Sequence, residues 1–297
     1  MKAAPFDYVR PESLAEACEL LAADADARAI AGGQTLVPMM AMRLARPTRL
    51  VDIYRLPELQ GIEADDDGVT IRAAARQLEA EHSAVVRRLA PLLAKALPWV
   101  GHPPTRNRGT IGGSVANADP AAEIPLVAVT LGARIYVTNP RGVTAHEAGA
   151  FFIGPMLTPL APGDCVSAVR FPRWREERVG AAFHEVSARR SDFAFVAAAT
   201  QVALDAEGCI VEAALGIGGV GDRPVRIDTS ALEGKRPERR LIEEVARAGT
   251  RDLQATSDIH ASAAYRQRVA AVLGARSLID ACADAAAGPA DTAHAGP

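Results

Sequence analysis

Two short runs, Ala31-Gly32-Gly33-Gln34-Thr35 and Thr110-Ile111-Gly112-Gly113-Ser114, restrict what this chain can fold into more than any other feature. A glycine pair permits positive φ and lets backbone N–H groups converge on an anion with no Cβ between them. The first pair follows a predicted strand, Arg28-Ala29-Ile30-Ala31, and precedes a predicted helix from Leu36 to Leu44. Strand, glycine turn and helix in that order leave a phosphate cradle and a plain turn both open. The second run repeats the grammar, with hydroxyl side chains flanking the glycines, and two such cradles fit one pyrophosphate. Arg106 and Arg108, just upstream, offer positive potential, although exposed arginines are more often solvated surface charge.

A third glycine run, Gly216-Ile217-Gly218-Gly219-Val220-Gly221, satisfies the dinucleotide pattern G-x-G-x-x-G letter for letter. That motif works only where a helix starts on the glycines and turns its N-terminal N–H groups toward the pyrophosphate. Here Asp222-Arg223-Pro224-Val225 follows, which reads as a turn and an extended segment, so the run is expected to be a tight connection between strands.

The 297 residues suit two domains. An apolar share of 49% with 23% charged residues is that of a chain that folds, and a formal net charge of -3 gives no general attraction to nucleic acid or anionic lipid. An anionic ligand must therefore be held by local groups. The N-terminus carries Asp7 where a secretory signal would be apolar, and the longest apolar run, Ile124 to Ala133, is far short of the ~20 residues that span a bilayer. Cys18, Cys165, Cys209 and Cys282 are scattered, without CxxC or a neighbouring His pair, which reads as reduced, mostly buried thiols in the cytoplasm.

The expected class is α+β. The first lobe runs strand (Phe6–Val9), helix (from Ser13, Glu16 completing a capping box), strand, glycine turn, helix and return strand (Arg49–Ile53), closing near residue 55. The second lobe, about 56–176, holds a strand at Val69–Ala73, helices at Gln77–Leu89 and Leu92–Val100, the second glycine turn, a helix from Pro120, and strands at Arg134–Val137 and Cys165–Phe171. The charged stretch Pro172 to Arg178 marks a domain boundary. Beyond it, in 177–284, extended runs at Ala181–Val186, Phe195–Ala203 and Val211–Ile217 precede helices at Leu241–Ala248 and Ala263–Ala283. The Ala-, Gly- and Pro-rich tail 285–297 is expected to be disordered.

Asp119-Pro120 reads as an N-cap with proline at the first helical position, and capping alone explains both residues. Glu123, one turn on, has no such requirement. A carboxylate accepting from a ribose or other ligand group and simple compensation of the helix dipole both stand. No P-loop, G-x-S-x-G or H-E-x-x-H occurs, and the histidines have no partners nearby in sequence. A diphosphate site without acid–base machinery suits a redox cofactor, which brings the difficult chemistry itself.

The run from Ile30 to Met40 with Arg46-Pro47 and Leu50-Val51-Asp52-Ile53, and the run Arg106 to Ala116 with Asp119-Pro120-Ala121-Ala122-Glu123, resemble the two FAD motifs of the medium subunits of carbon monoxide dehydrogenase and related molybdenum hydroxylases. Ser191-Asp192-Phe193-Ala194 and Asp258 to Arg266 resemble that family's C-terminal domain. The resemblance implies a two-lobed FAD-binding domain of the vanillyl-alcohol-oxidase (PCMH) type over residues 1–176, then a carbon monoxide dehydrogenase flavoprotein C-terminal-like domain with a small antiparallel sheet and helices over 177–284. It implies non-covalent FAD held by Ala31, Gly32, Gly33, Gln34, Thr35 and Leu36 and by Thr110, Ile111, Gly112, Gly113 and Ser114. Glu123 matches an acidic ligand, Val100, Val166 and Glu185 fall at further contact positions, and Phe193 falls against the isoalloxazine; read without the family, Phe193 is an ordinary core aromatic.

Glu185 stands where many members carry a lysine, so the resemblance transfers no cationic role to that position and does not imply NAD as acceptor. The cysteine-bearing insertion of 4-hydroxybenzoyl-CoA reductases is absent. The expected partners are a small [2Fe-2S] subunit and a large molybdenum subunit, as a dimer of heterotrimers, with no nucleic acid and no membrane span. Electrons would enter from the clusters and leave to a quinone, cytochrome or other acceptor. Two other readings remain: a free-standing flavin oxidase or dehydrogenase acting on a small organic substrate, which predicts a local acid or base, and a structural subunit without cofactor.

Overall fold

A computed structural model describes residues 2–288. The first segment folds as β1 (Asp7–Val9), α1 (Leu14–Ala23), β2 (Arg28–Ile30), α2 (Leu36–Ala41) and β3 (Arg49–Asp52), with both outer strands parallel to the central β3. The Ser13 hydroxyl caps α1 by accepting from the Glu16 amide, but the Glu16 carboxylate reaches past the cap to the Glu12 amide, so the expected capping box is displaced by one residue. Ala17, Cys18 and Leu21 form the buried stripe of α1. Helix α2 stops three residues before the expected Leu44 because Arg43 adopts the left-handed conformation, φ 60°.

A five-stranded antiparallel sheet follows, in the order β4 (Ile62–Asp65), β5 (Gly68–Arg72), β8 (Cys165–Pro172), β6 (Arg134–Asn139), β7 (Gly142–Glu147). Between β5 and its return run the short helices α3 (Gln77–His82), α4 (Ala84–Leu89), α5 (Pro91–Ala96), α6 (Pro103–Arg106), α7 (Ile111–Asn117) and α8 (Glu123–Leu131), then β6 (Arg134–Asn139), β7 (Gly142–Glu147), α9 (Ala148–Phe151) and β8 (Cys165–Pro172). The expected helix from Gln77 to Leu89 is broken at Ser83, whose backbone is extended and whose hydroxyl accepts from the Val86 amide; a serine cap outcompetes helix continuation there. The expected helix from Pro120 also fails. The Asp119 carboxylate accepts from the Ala121 amide across a turn, and α8 begins at Glu123.

The last segment is an antiparallel sheet of β9 (Arg178–Val186), β10 (Val196–Leu204), β11 (Ile210–Gly218) and β12 (Val225–Ile227), backed by α10 (Arg239–Thr250) and α11 (Ala263–Ala287). Helix α11 continues through Ala285, which is fully buried, to Ala287, so the tail does not start at 285 as expected; residues 289–297 lie outside the described residues. The run Gly216 to Gly221 ends β11 and turns into β12, with Ile217 paired to Val225. It is a strand connection, as its context suggested.

Strand alternation splits the residues of this sheet between two cores. Ala182, Ala198, Leu215 and Ile217 face α11, whereas Ala181, Phe183, Ala197 and Ala199 belong to the same core as the five-stranded sheet. Helix α8 lies at that seam, buried from Ile124 to Leu131, which is why its sequence is apolar on every side. No helix among the described residues is long and apolar enough to cross a membrane.

Candidate functional site

The two glycine runs, 78 positions apart at Gly32 and Thr110 in sequence, meet in space. A Cβ on Gly32 would overlap the Arg108 carbonyl oxygen and stand 2.9 Å from the Gly109 Cα, so only glycine lets the first turn seat on the second run. Gly33 takes the left-handed conformation, φ 69°, which turns the chain into α2. Past it, the amides of Gly33, Gln34, Thr35 and Leu36 donate to no group among the described residues, while the Gln34 side-chain amide folds back onto the Gly32 carbonyl. A run of successive N–H groups without a partner on a glycine turn is backbone of the kind that can receive an anion.

The second run works differently from the expected mirror image. It is the first turn of α7, and the amides of its glycines and of Ile111 are spent: Ile111 donates to the Ala75 carbonyl, Gly112 to the Ala73 carbonyl at 2.9 Å, and Gly113 to the Thr110 hydroxyl at 3.0 Å. Gly112 is wedged on Ala73, whose Cβ a side chain would strike. What this run offers a ligand is the exposed Gly113 and the part-exposed Ser114, whose hydroxyl has no hydrogen-bond partner among the described residues. Thr110 and Ile111 are scaffold, buried beneath it.

Arg106 departs from its expected place on the surface. It is buried, holds Glu81 with two hydrogen bonds, the shorter 2.6 Å, and donates to the Val100 and Gly101 carbonyls. Its charge is neutralised locally, and its effect is to fix the backbone at Val100. Arg108 is exposed. Val166 is a buried residue of β8 beside the β6 bulge at Tyr136/Val137, and its surroundings do not distinguish it from its core neighbours.

Glu123 opens α8 at the seam. Burial pushes its carboxyl up to about 7, with Asp119 adding to the rise while its own amide and Arg106 oppose it. Glu185, on β9, shares the face of Ala181 and Phe183. Both its carboxyl oxygens are buried without a hydrogen-bond partner, and burial, reinforced by the negative charge of Glu123, raises it to about 8. Each stood singly among the expected ligand positions, but nothing in the local sequence links the two, which lie 62 positions apart and outside any acid–base motif.

Phe193 is 71% exposed, so it is not a core aromatic. Its loop borders a recess of about 390 Å³ that also takes in Asp119, Pro120, Ala121, Phe195 and His260. His260 stacks on Phe195 at 5.7 Å between centroids, and buried Arg266 ties the Phe195 and Gly219 carbonyls to Asp258. The two C-terminal motifs, far apart in sequence, thus build one wall. The buried thiols Cys18, Cys165 and Cys282 are pushed up to about 11, 12 and 11 by desolvation, which leaves them inert at neutral pH.

Known proteins resemble this chain along nearly its whole length. Residues 4–174 match the family described as FAD binding domain in molybdopterin dehydrogenase, and residues 181–281 match the CO dehydrogenase flavoprotein C-terminal domain. The 6-hydroxypseudooxynicotine dehydrogenase complex subunit alpha of Paenarthrobacter nicotinovorans is 35% identical over 95% of this chain and 96% of its own. The nicotine 6-hydroxylase medium subunit of the same organism is 34% identical over 95% and 99%. Among solved structures, a chain of carbon monoxide dehydrogenase from Hydrogenophaga pseudoflava superposes with a TM-score of 0.91 at 30% identity, covering 96% of this chain and 99% of that one.

Proposed function

This chain belongs to the family of FAD-binding domains of molybdopterin dehydrogenases, and from that membership we propose that it carries electrons from the [2Fe-2S] clusters of a small partner subunit, through FAD, to an external acceptor. It is the FAD subunit of an oxidoreductase, and the molybdenum cofactor and iron–sulfur centres belong to partner subunits. The assembly we propose is a dimer of heterotrimers in the cytoplasm, with the substrate oxidised on the large molybdenum subunit.

One observation supports the placement of the cofactor: the four amides from Gly33 to Leu36 that have no partner among the described residues, on a turn whose Gly32 is seated against Arg108 and Gly109. We assign the pyrophosphate to these amides and to the face of Gly113 and Ser114, with Ala31, Gly32, Thr110, Ile111 and Gly112 shaping the cradle. Glu123 and Glu185 border the cofactor from the seam, Val100 and Val166 pack behind it, and the exposed ring of Phe193 covers the isoalloxazine. Residues 1–176 would form a two-lobed PCMH-type domain and 177–284 a C-terminal domain. FAD, when bound, supplies the redox chemistry; the chain's own residues hold its phosphates, shield its ring and set the charge around it.

The test is to purify the chain with whatever accompanies it, record the flavin spectrum, and assay molybdenum and iron. Flavin released by acid precipitation, together with both metals, is the expected result; substrate turnover by the isolated chain without metal-bearing partners would overturn the reading. Gly33→Val adds a branched side chain at φ 69° and 3.1 Å from the Val37 Cγ2 atom, and should abolish FAD retention while a distant glycine change does not.

A further inference from the structure

Gln77 opens α3 as a buried polar residue, 6% exposed, and its side-chain oxygen Oε1 has no hydrogen-bond partner among the described residues. An apolar residue of similar length would avoid the cost of an orphaned acceptor. What the Gln77 amide touches instead is the approach to the second glycine run. Its backbone N–H donates to the Gly109 carbonyl at 2.9 Å, and its Nε2 donates to the Thr110 carbonyl at 3.4 Å. A Cβ on Gly109 would stand 2.5 Å from Oε1 and 2.9 Å from Cδ, so the side chain packs on Gly109 where only glycine fits. One turn along α3, the Glu81 carboxylate holds Arg106. Gln77 and Glu81 together fasten the loop 106–110 to this helix. The same loop supplies the Arg108 carbonyl and the Gly109 Cα against which Gly32 is seated.

We propose that Gln77 is a positioning residue for the cofactor: through Gly109 it sets the seat of Gly32, and with it the direction of the amides from Gly33 to Leu36, without touching the ligand. This rests on the assignment of the pyrophosphate to those amides. The path consists of contacts alone, from Gln77 to Gly109, from Gly109 to Gly32, and from Gly32 into the left-handed turn at Gly33. Hydrogen bonds weaken steeply with misalignment, so a small displacement of the seat spoils several phosphate contacts at once. The long Nε2 bond and the orphaned Oε1 add little to folding, and the contribution of Gln77 is to placement.

The test strips flavin from the full chain with its partner subunits, titrates FAD back by fluorescence, and measures the melting temperature of the flavin-free protein beside it. Gln77→Met keeps the length of the side chain but loses the donor. Its FAD affinity should fall about tenfold while its melting temperature stays at or above that of the wild type. Equal affinities would overturn the proposal, and so would a fall in affinity matched by a fall in melting temperature, the mark of a merely structural role. Gly109→Ala drives a methyl group into Oε1 and should also weaken binding. Adding Gln77→Ala leaves that methyl only the Thr105 carbonyl oxygen at 3.0 Å and should bring affinity back to that of Gln77→Ala alone; losses that simply add would break the contact path. In the wild type, without any variant, FAD should slow hydrogen exchange in the segments 77–81 and 105–110 as well as in 32–37, and slowing confined to 32–37 would equally overturn it. A wild type that binds no FAD would instead sink the cofactor reading itself and the proposal with it, a result distinct from variants that bind FAD as the wild type does.

Discussion

Single residues decide the chemistry of the cleft, and Glu185 is the one whose effect on folding is open to measurement without any cofactor. Its folded value of about 8 lies above the ordinary 4.5. Between those two values the folded chain holds a proton that the unfolded chain has released, so stability falls as pH rises through that window and levels off above it. The melting temperature of flavin-free wild type, less that of Glu185→Gln, should decline from about pH 5 to pH 8 and then stay constant. A difference that does not change with pH would mean the carboxyl is solvated like any surface acid. None of this was legible beforehand, because burial and the approach of Glu123 are properties of the seam and not of the local sequence. The glycines were legible as a pair, since positive φ at Gly33 and close seating at Gly32 are demands that residue type reveals. Their division of labour was not: whether an amide is free depends on which carbonyl lies opposite, and for Gly112 that is Ala73.

Among elements, α8 carries the most consequence per residue. Gly216 of β11 lies under it where a Cβ would overlap the Thr130 hydroxyl and approach the Leu126 Cδ1 to 3.0 Å. Thr130 cannot swing away freely, because it is fully buried and donates to the Leu126 carbonyl at 2.8 Å. Gly216→Val should therefore cost about 1–3 kcal/mol of stability by overpacking, whereas Gly149→Ala, with nothing within 4 Å, should be close to neutral; equal melting temperatures for the two variants would remove the packing argument. The glycine pattern at 216–221 that mimics a nucleotide motif is thus explained by the close approach of a helix to a sheet. Periodicity revealed the long regular elements, such as α11 and the strands β9 to β11. It failed where short-range hydrogen bonding intervened, at Ser83 and at Asp119, and at edge strands such as β4, β7 and β12, whose exposed side chains carry little apolar alternation.

At the scale of the whole molecule, the sheet of the last segment is enclosed on one face by its own α11 and on the other by α5 and α8 of the preceding segment. Length suggested two domains, but not that the segments share a core, because alanines such as Ala181, Ala197 and Ala199 look alike whether they face a helix of their own segment or another. The continuous family boundaries near residues 174 and 181 therefore do not coincide with the boundaries of packing. A chimera that takes residues 178–288 from a relative should melt lower than one that takes residues 123–131 with them, as calorimetry of the two would show; no difference would mean the seam tolerates mismatch. Seen as heredity, α8 and the distant sheet form one linkage group: a crossover between them separates partners that must change together, so lineages of this subunit should inherit the helix and the sheet as a set even where the intervening chain drifts.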